Sequence, residues 1–426
     1  MSLKCGLLGE RLGHSMSPRI HARLGGYEYR LYEKSPREVE DFLLHGDYDV
    51  LNVTIPYKKI AFALCGEVTP VASELGNVNV VVKRMDGTLF GDNTDAAGFV
   101  KLVETVGADV RGKKCAVLGT GGAAMTAAAA LRKLGAAAVV HISRSGEDNY
   151  SNLDRHADAA VLVNATPVGM YPDADAQPVS LSSFPKCEAV IDLIYNPSPT
   201  KLMAEASRLG IPNVGGMPML EEQARQASAY MNANIYLYGA PGSGKSTYAR
   251  QLAAEKEMPL VDLDAEIVRT DGRSIADIFA QDGEAAFRAL EKSVLERVSK
   301  ARGQIVALGG GALLDPECRR IAESAGRVVF IECPEEVLLE RVSASRERPL
   351  LEGDAAVRLS RLLAARRDHY ASFTERIPHK TCNSSYSKNP ATEQLIFPFL
   401  SGFIPGIQSS LSERTHRNRI ESFTKP

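Results

Sequence analysis

The stretch from Gly239 to Ser246, GAPGSGKS, fits the pattern G-x-x-x-x-G-K-[ST]. Such a loop grips phosphate oxygens with backbone amides and with the N-terminus of the helix it opens. Gly242, Ser243 and Gly244 let the backbone come close. Lys245 reaches the outer phosphates, and Ser246 offers its hydroxyl to Mg²⁺, with Thr247 next in line. The bland alternative is a glycine turn that binds nothing. Asp262 and Asp264 close the run PLVDLD, read as a strand over Pro259 to Asp264. Residues i and i+2 of a strand share a face, so both carboxylates would meet one site. One would serve Mg²⁺ and the other would accept a hydroxyl proton; two solvated aspartates are the plainer reading. Earlier in the chain, Asn52, Thr54 and Lys58 gather at the end of an alternating run, Tyr48 to Ile55, where α/β sheets tend to place ligands. Lys58 is by itself as readily a solvated lysine. Asp95 either caps the helix beginning at Ala96 or pairs with Lys58 as an acid/base couple.

A second glycine signature lies between these groups. The strand Lys114 to Leu118 runs into Gly119-Thr-Gly121-Gly122-Ala123, which opens an alanine-rich helix, with Ala124 at the third glycine position of G-x-G-x-x-G. The next strand, Ala137 to Ile142, ends in Ser143-Arg144-Ser145. An acidic residue there would bond a ribose 2′-hydroxyl, whereas Arg with flanking hydroxyls suits a 2′-phosphate, which favours NADP over NAD.

The elements that must position these groups alternate strand and helix throughout, which predicts an α/β protein. Further strands are expected over Val161–Met170, Ala189–Pro197, Asn234–Tyr238, Ala307–Ala312 and Val328–Cys333, and a helix over Met219–Tyr230. Ser17-Pro18 reads as a helix start with Ser as the cap. Arg288 lies on a helix where an ion pair with Glu284 or Glu291 is the plain reading, and Arg366-Arg367 on another, where adjacent arginines usually mean a solvated face. Ser345 to Gly353, SRERPLLEG, is basic and proline-broken, which suits a lid.

The length of 426 residues implies two or three domains at about 150 residues each. A hydrophobic fraction of 44% with 24% charged residues is ordinary for a soluble globular protein, and a net charge of -2 gives no reason to expect nucleic acid or an anionic membrane as partner. Seven scattered cysteines without a CxxC pair, and no run of membrane-spanning length, favour the cytoplasm. Oligomeric state is left open.

From residue 3 to residue 230 the chain resembles shikimate dehydrogenase, on GHSMSPRIH, NVTIPYKK, GNVN, GDNTDAAGF, GTGGAA, NATPVGM, DLIYNP and GMPMLEEQA in that order. The resemblance implies that Ser15, Ser17, Asn52, Thr54, Asn79, Tyr195 and Gln223 contact the carboxylate and hydroxyls of 3-dehydroshikimate. It makes Lys58 the catalytic acid/base and Asp95 its partner, and it adds Ile194 and Gly216 to the NADP site. The segment from Arg144 to Asn164 is short for that family, so a helix and a strand are expected to be missing. From about Ala233 to Ile377 the chain resembles shikimate kinase, on GSGKST, DLD, GRSIADIF, GEAAFR, LGGGA and RPLL. This second resemblance gives Lys245 and Ser246 to MgATP, Asp262 to Mg²⁺ and Asp264 to the shikimate 3-hydroxyl. It gives Arg288 and Arg366 to the substrate's carboxylate, Gly310 and Gly311 to its ring face, and makes Arg348 the lid arginine.

The organisation expected is a substrate domain over 1–97 with a returning helix at 217–231, a Rossmann-like NADP domain over 98–216, a P-loop kinase domain with a parallel sheet over 232–378, and a mostly disordered tail over 379–426. The function expected is bifunctional, NADPH-dependent reduction of 3-dehydroshikimate followed by ATP-dependent phosphorylation of shikimate. Alternatives are a kinase module reduced to nucleotide sensing, a dehydrogenase half reduced to a scaffold, and a quinate-type preference.

Overall fold

Among the described residues three β-sheets organise the chain, formed mainly where short runs rich in Val, Ile and Leu end in polar residues. The computed structural model describes residues 3–13, 15–343 and 355–379. Arg348, the rest of the expected lid and the tail beyond His379 lie outside the described residues.

The first sheet contains β1 (Lys4–Gly9), β2 (Glu28–Glu33), β3 (Val50–Val53), β4 (Glu67–Val68), β5 (Val80–Lys83) and β6 (Leu89–Asp92), in the order β2-β1-β3-β5-β6-β4. β1 is parallel to β2 and β3, while β5 runs antiparallel to β3 and β6. Its helices are α1 (Ser17–His21), α2 (Val39–His45), α3 (Lys58–Leu64) and α4 (Pro70–Leu75). Alternation along β5 divides its side chains between two cores. Val81 packs with Leu43, Ala61 and Ala72 of α2 to α4, whereas Val80 and Val82 face a different cluster. Ser17 is not the cap of α1: Met16 holds that place, and the Ser17 N–H donates to Ser15 Oγ at 3.2 Å.

Helix α5 (Asp95–Val106) leads into the second sheet and packs against α6 (Gly122–Lys133). Asp95 is its first residue and Thr94 its cap, so the capping reading of Asp95 does not hold. The second sheet contains β7 (Lys114–Leu118), β8 (Ala138–Ile142), β9 (Val161–Asn164), β10 (Ala189–Asp192) and β11 (Asn213–Val214), all parallel, in the order β11-β10-β9-β7-β8. Between β8 and β9 the only regular element is a 3-10 turn, Leu153–His156, in line with the expected loss. Both β9 and β10 stop earlier than their apolar runs. Asn164 Oδ1 takes the Thr166 N–H and hydroxyl, and Asp192 Oδ1 takes the Ile194 N–H, which turns the chain away from the sheet. Helix α7 (Lys201–Arg208) follows, then α8 (Met217–Met231).

Only Asn232 and Ala233 separate α8 from the third sheet. It contains β12 (Asn234–Tyr238), β13 (Leu260–Asp262), β14 (Ile305–Ala307), β15 (Gly326–Glu332) and β16 (Arg376–Pro378), all parallel, in the order β13-β14-β12-β15-β16. Its helices are α9 (Lys245–Lys256), α10 (Leu263–Asp271), α11 (Ile275–Ser299), α12 (Pro316–Ala325), α13 (Glu335–Ser343), α14 (Ala355–Ala365) and α15 (Arg367–Ala371). The strand expected through Asp264 ends at Asp262, because that carboxylate caps α10: its Oδ1 accepts from the N–H groups of Asp264 at 3.1 Å and Ala265 at 3.3 Å. Asp262 and Asp264 therefore do not share a strand face, since Asp264 lies in α10. The strand expected to run through three glycines stops at Ala307.

The first and third sheets share one core. Cys5, Val50, Val80 and Val82 lie in the same buried cluster as Ala227 and Met231 of α8, Ala249 and Leu252 of α9, and Ile235, Leu237, Val329 and Ile331 of the third sheet. Residues Met1–His379 accordingly form one unit. Among the described residues no helix is long and apolar enough to cross a membrane.

Candidate functional site

A cavity of about 430 Å³ lies where the polar ends of the first sheet meet the loops after β9 and β10. Lys58 opens α3, and the chain reaches it through Tyr57, fully buried and anchored by its hydroxyl to the Lys34 carbonyl. Lys58 Nζ donates to Asp95 Oδ2 at 2.5 Å, with the lysine side chain 26% exposed and the aspartate 9%. The other carboxylate oxygen accepts from Asn79 Nδ2 at 2.8 Å, and Asn79 Oδ1 accepts from the Thr94 N–H at 2.8 Å. Asp95 is thus fixed by the turn preceding β5 and presents one oxygen to the lysine.

Ser15, Ser17, Asn52, Thr54, Lys58, Asn79, Asp95, Tyr195 and Gln223 all line this one cavity. They include residues of β3, α5, α8 and the loop after β10, and the convergence agrees with what the resemblance implied. Arg11, His21, Tyr171 and Asn196 also line it and were missed. Among these, His21 had a usable signal, since it stands four residues after Ser17 and so shares its helix face.

The Gly119–Ala123 loop stands at the end of β7, beside the cavity's second domain. A side chain at Gly119, φ 108°, would meet the Ala165 carbonyl at 3.1 Å, whereas Gly121 and Gly122 have no neighbouring atom within 4 Å of such a position. Their backbone is open to a pyrophosphate at the N-terminus of α6. Arg144 and Ser145 are exposed past β8, and Ser143 Oγ accepts the Gly146 N–H at 3.0 Å, which closes the turn that presents them. Ile194 is buried, and a Cβ at Gly216 would strike the Leu193 carbonyl at 2.2 Å. These residues fit a dinucleotide with a 2′-phosphate.

In the third sheet, the loop from Gly239 holds Gly242 and Gly244 at φ 89° and 88°, left-handed values that favour glycine. Lys245 Nζ donates to the Gly239 and Ala240 carbonyls at 3.0 and 2.9 Å, and Arg341, missed in the sequence, donates to the Gly242 carbonyl at 3.2 Å. Ser243 Oγ is buried without a partner, an orphan that a phosphate oxygen would satisfy. Ser246 and Thr247 follow on α9. This loop fits a nucleotide triphosphate, and Ser246 and Asp262 carry oxygens of the kind Mg²⁺ takes.

Facing the loop, Gly309 to Gly311 meet three charged groups. Asp264 Oδ1 and Glu291 Oε1 each lie 3.1 Å from where a Gly309 side chain would start, and the Arg288 guanidinium lies 2.8 Å from the corresponding point at Gly311. Arg288 is held by Glu291 at 2.6 Å and Glu284 at 3.2 Å. Burial pushes the Glu291 carboxyl up, and the adjacent Arg288 opposes that. Arg366 caps α15 at its joint with α14, and its Nη1 donates to the Gly310 carbonyl at 2.9 Å, so it is not simply a solvated arginine. Asp264, Arg288, Arg366, Gly310 and Gly311 therefore gather at one place.

Residues 7–81 match the family model of the shikimate dehydrogenase substrate binding domain. A shikimate dehydrogenase (NADP(+)) of Halothermothrix orenii is 33% identical over 261 residues, covering 52% of this chain and 88% of that protein. Over its N-terminal half the chain belongs to the shikimate dehydrogenase family. The crystal structure of a chorismate mutase/shikimate 5-dehydrogenase fusion protein from Clostridium acetobutylicum matches with TM-score 0.51 and 31% identity, over 55% of this chain and 92% of that one. Residues 241–395 match the family model of shikimate kinase. A shikimate kinase of Salinibacter ruber is 46% identical over 128 residues, covering 30% of this chain and 63% of that protein. The chain thus joins an oxidoreductase of the shikimate dehydrogenase family to a kinase domain.

Proposed function

We propose that the chain carries out two consecutive reactions, reduction of 3-dehydroshikimate to shikimate and phosphorylation of the hydroxyl so formed. The observation that supports this most is that one chain assembles both a Lys58–Asp95 couple inside a polar cavity and an Asp264–Arg288–Arg366 cluster against bare glycine backbone.

In the first site NADPH, when bound, supplies the hydride to the carbonyl carbon. Lys58 gives its proton to the carbonyl oxygen as that oxygen gains charge, and takes a new one from solvent. Asp95 keeps the ammonium aimed at the cavity. Ser15 and Ser17, with Tyr195, receive the carboxylate. Asn52, Thr54, Asn79 and Gln223 hold the ring hydroxyls. Arg144, with Ser143 and Ser145, favours NADP through its fork on the 2′-phosphate.

In the second site Asp264 accepts the proton of the 3-hydroxyl, while Arg288 and Arg366 clamp the carboxylate so that this hydroxyl points at the phosphate loop. ATP is the second substrate, held by Gly242 to Thr247. Mg²⁺ at Ser246 and Asp262 would neutralise phosphate charge. Arg348 would complete the closed site. All partners required are small molecules, in a cytoplasmic setting.

Two variants sort the halves. Lys58→Ala should lower reduction of 3-dehydroshikimate by about 10²–10⁴-fold and spare phosphorylation, and Asp264→Asn should do the reverse. ATP binding without turnover in the unmodified protein would instead favour a nucleotide-sensing domain.

A further inference from the structure

Asn52 stands on β3 with its amide at the cavity wall, and an amide can face substrate either with its oxygen or with its NH₂. The side chains behind it decide which. Tyr29, on β2 and separated from β3 by β1, donates its hydroxyl to Asn52 Oδ1 at 2.8 Å, and its oxygen is also within hydrogen-bonding reach of Ser17. His21 stacks flat on Tyr29, ring centroids 4.0 Å apart, and is 2% exposed. Its Nδ1 meets the Tyr27 hydroxyl at 2.6 Å, and the ring lies within hydrogen-bonding reach of Asn52. A Tyr27 hydroxyl that donates to Nδ1 leaves the proton of a neutral imidazole on Nε2, as a donor toward Asn52 Oδ1. That oxygen then has one donor in place, Tyr29, and a second within reach, His21. The NH₂ is left to reach the Asn79 carbonyl, 3.4 Å away, and the cavity.

We propose that Tyr29 and His21 are positioning residues that lock Asn52 as a hydrogen-bond donor toward the substrate, so that this wall selects an oxygen acceptor on the ring. The inference rests on the reading that this cavity binds 3-dehydroshikimate. Burial supports it, since it keeps the His21 imidazole neutral.

The test is a double-mutant cycle in the full-length enzyme with Tyr29→Phe, Asn52→Ala and the pair, reading KM for 3-dehydroshikimate, KM for NADPH and kcat. Tyr29→Phe should raise KM for 3-dehydroshikimate by about tenfold, with KM for NADPH unchanged and the thermal midpoint close to that of the parent. In the Asn52→Ala background the same change should add almost nothing. An unchanged KM, or a penalty as large in that background, would overturn the positioning role. The His21 tautomer, read by long-range ¹H–¹⁵N correlation and assigned with His21→Gln, does not depend on the substrate. Protonated Nε2 is expected, and protonated Nδ1 would overturn the inference even if the enzyme reduces 3-dehydroshikimate. Absence of any reduction by the unmodified enzyme, with Nε2 protonated, would sink the functional reading and leave the locked amide standing.

Discussion

Lys256, the last residue of the helix behind the phosphate loop, donates to Asp49 at 2.6 Å, just ahead of the strand that carries Asn52. Both oxygens of Asp49 are used, since the other accepts the Lys4 N–H at 2.8 Å. A second tie lies where Glu375 accepts from Arg327 and from the Met85 N–H in the turn between β5 and β6. With an apolar core between the ties, the kinase and the substrate domain of the dehydrogenase should melt together. Asp49→Ala strands Lys256 and should cost about 1–3 kcal/mol. Calorimetry, with residual activity of both halves after heating, checks this. Both activities should decay at the same lowered temperature, and separate transitions would contradict the shared core.

Asp262 has two tasks that substitution can part. Asn caps a helix as well as Asp does, so Asp262→Asn should leave stability within about 0.5 kcal/mol, while Asp262→Ala should cost about 1 kcal/mol. Both should raise the Mg²⁺ concentration needed for phosphorylation. Urea unfolding and a Mg²⁺ titration of kinase activity read the two effects separately.

The glycine loops were legible in the sequence because each is a local pattern with a chemical reason behind it. Lys58, Asp95 and the serines near residue 15 instead owed their place in a site to the family resemblance, since alone they read as readily as a solvated lysine and helix caps. Asp264 lies beside Gly309, but not for the reason read in the sequence. The strand was extended through it, whereas Asp262 ends that strand by capping α10, and a side chain acting on backbone two residues ahead is invisible to apolar alternation. Tyr29 and Arg341 were missed because what they do depends on strand pairing and helix packing across long separations. The shared core was missed for a related reason. Nothing in the spacing of Val80 and Val82 says that the next layer belongs to another domain.

His21 should give the fold a pH dependence of definite sign. Burial lowers its imidazole from the ordinary 6.5 to about 4. Between those values the unfolded chain binds the extra proton and the folded chain does not, so stability should be intact above about pH 6.5 and fall as pH drops toward 4, by up to about 3 kcal/mol. His369, also lowered by burial, contributes with the same sign. Urea unfolding at pH 7 and pH 4.5 should show a smaller difference for His21→Gln than for the parent. An equal difference would mean that other groups carry the acid sensitivity.

Arg144 should decide between the two nicotinamide cofactors. Arg144→Gln removes the fork that suits a 2′-phosphate and should raise KM for NADPH by about tenfold or more while changing KM for NADH by less than threefold. Steady-state rates with both cofactors check it, and a parallel rise in both would point to a folding defect instead.

The central claim is that one chain makes a hydroxyl and then phosphorylates it. Purified protein with 3-dehydroshikimate, NADPH, ATP and Mg²⁺ in one vessel, followed by mass spectrometry, tests it most directly. Loss of NADPH together with shikimate 3-phosphate is the result predicted. Shikimate accumulating with ATP untouched, or NADPH left unconsumed, would contradict it.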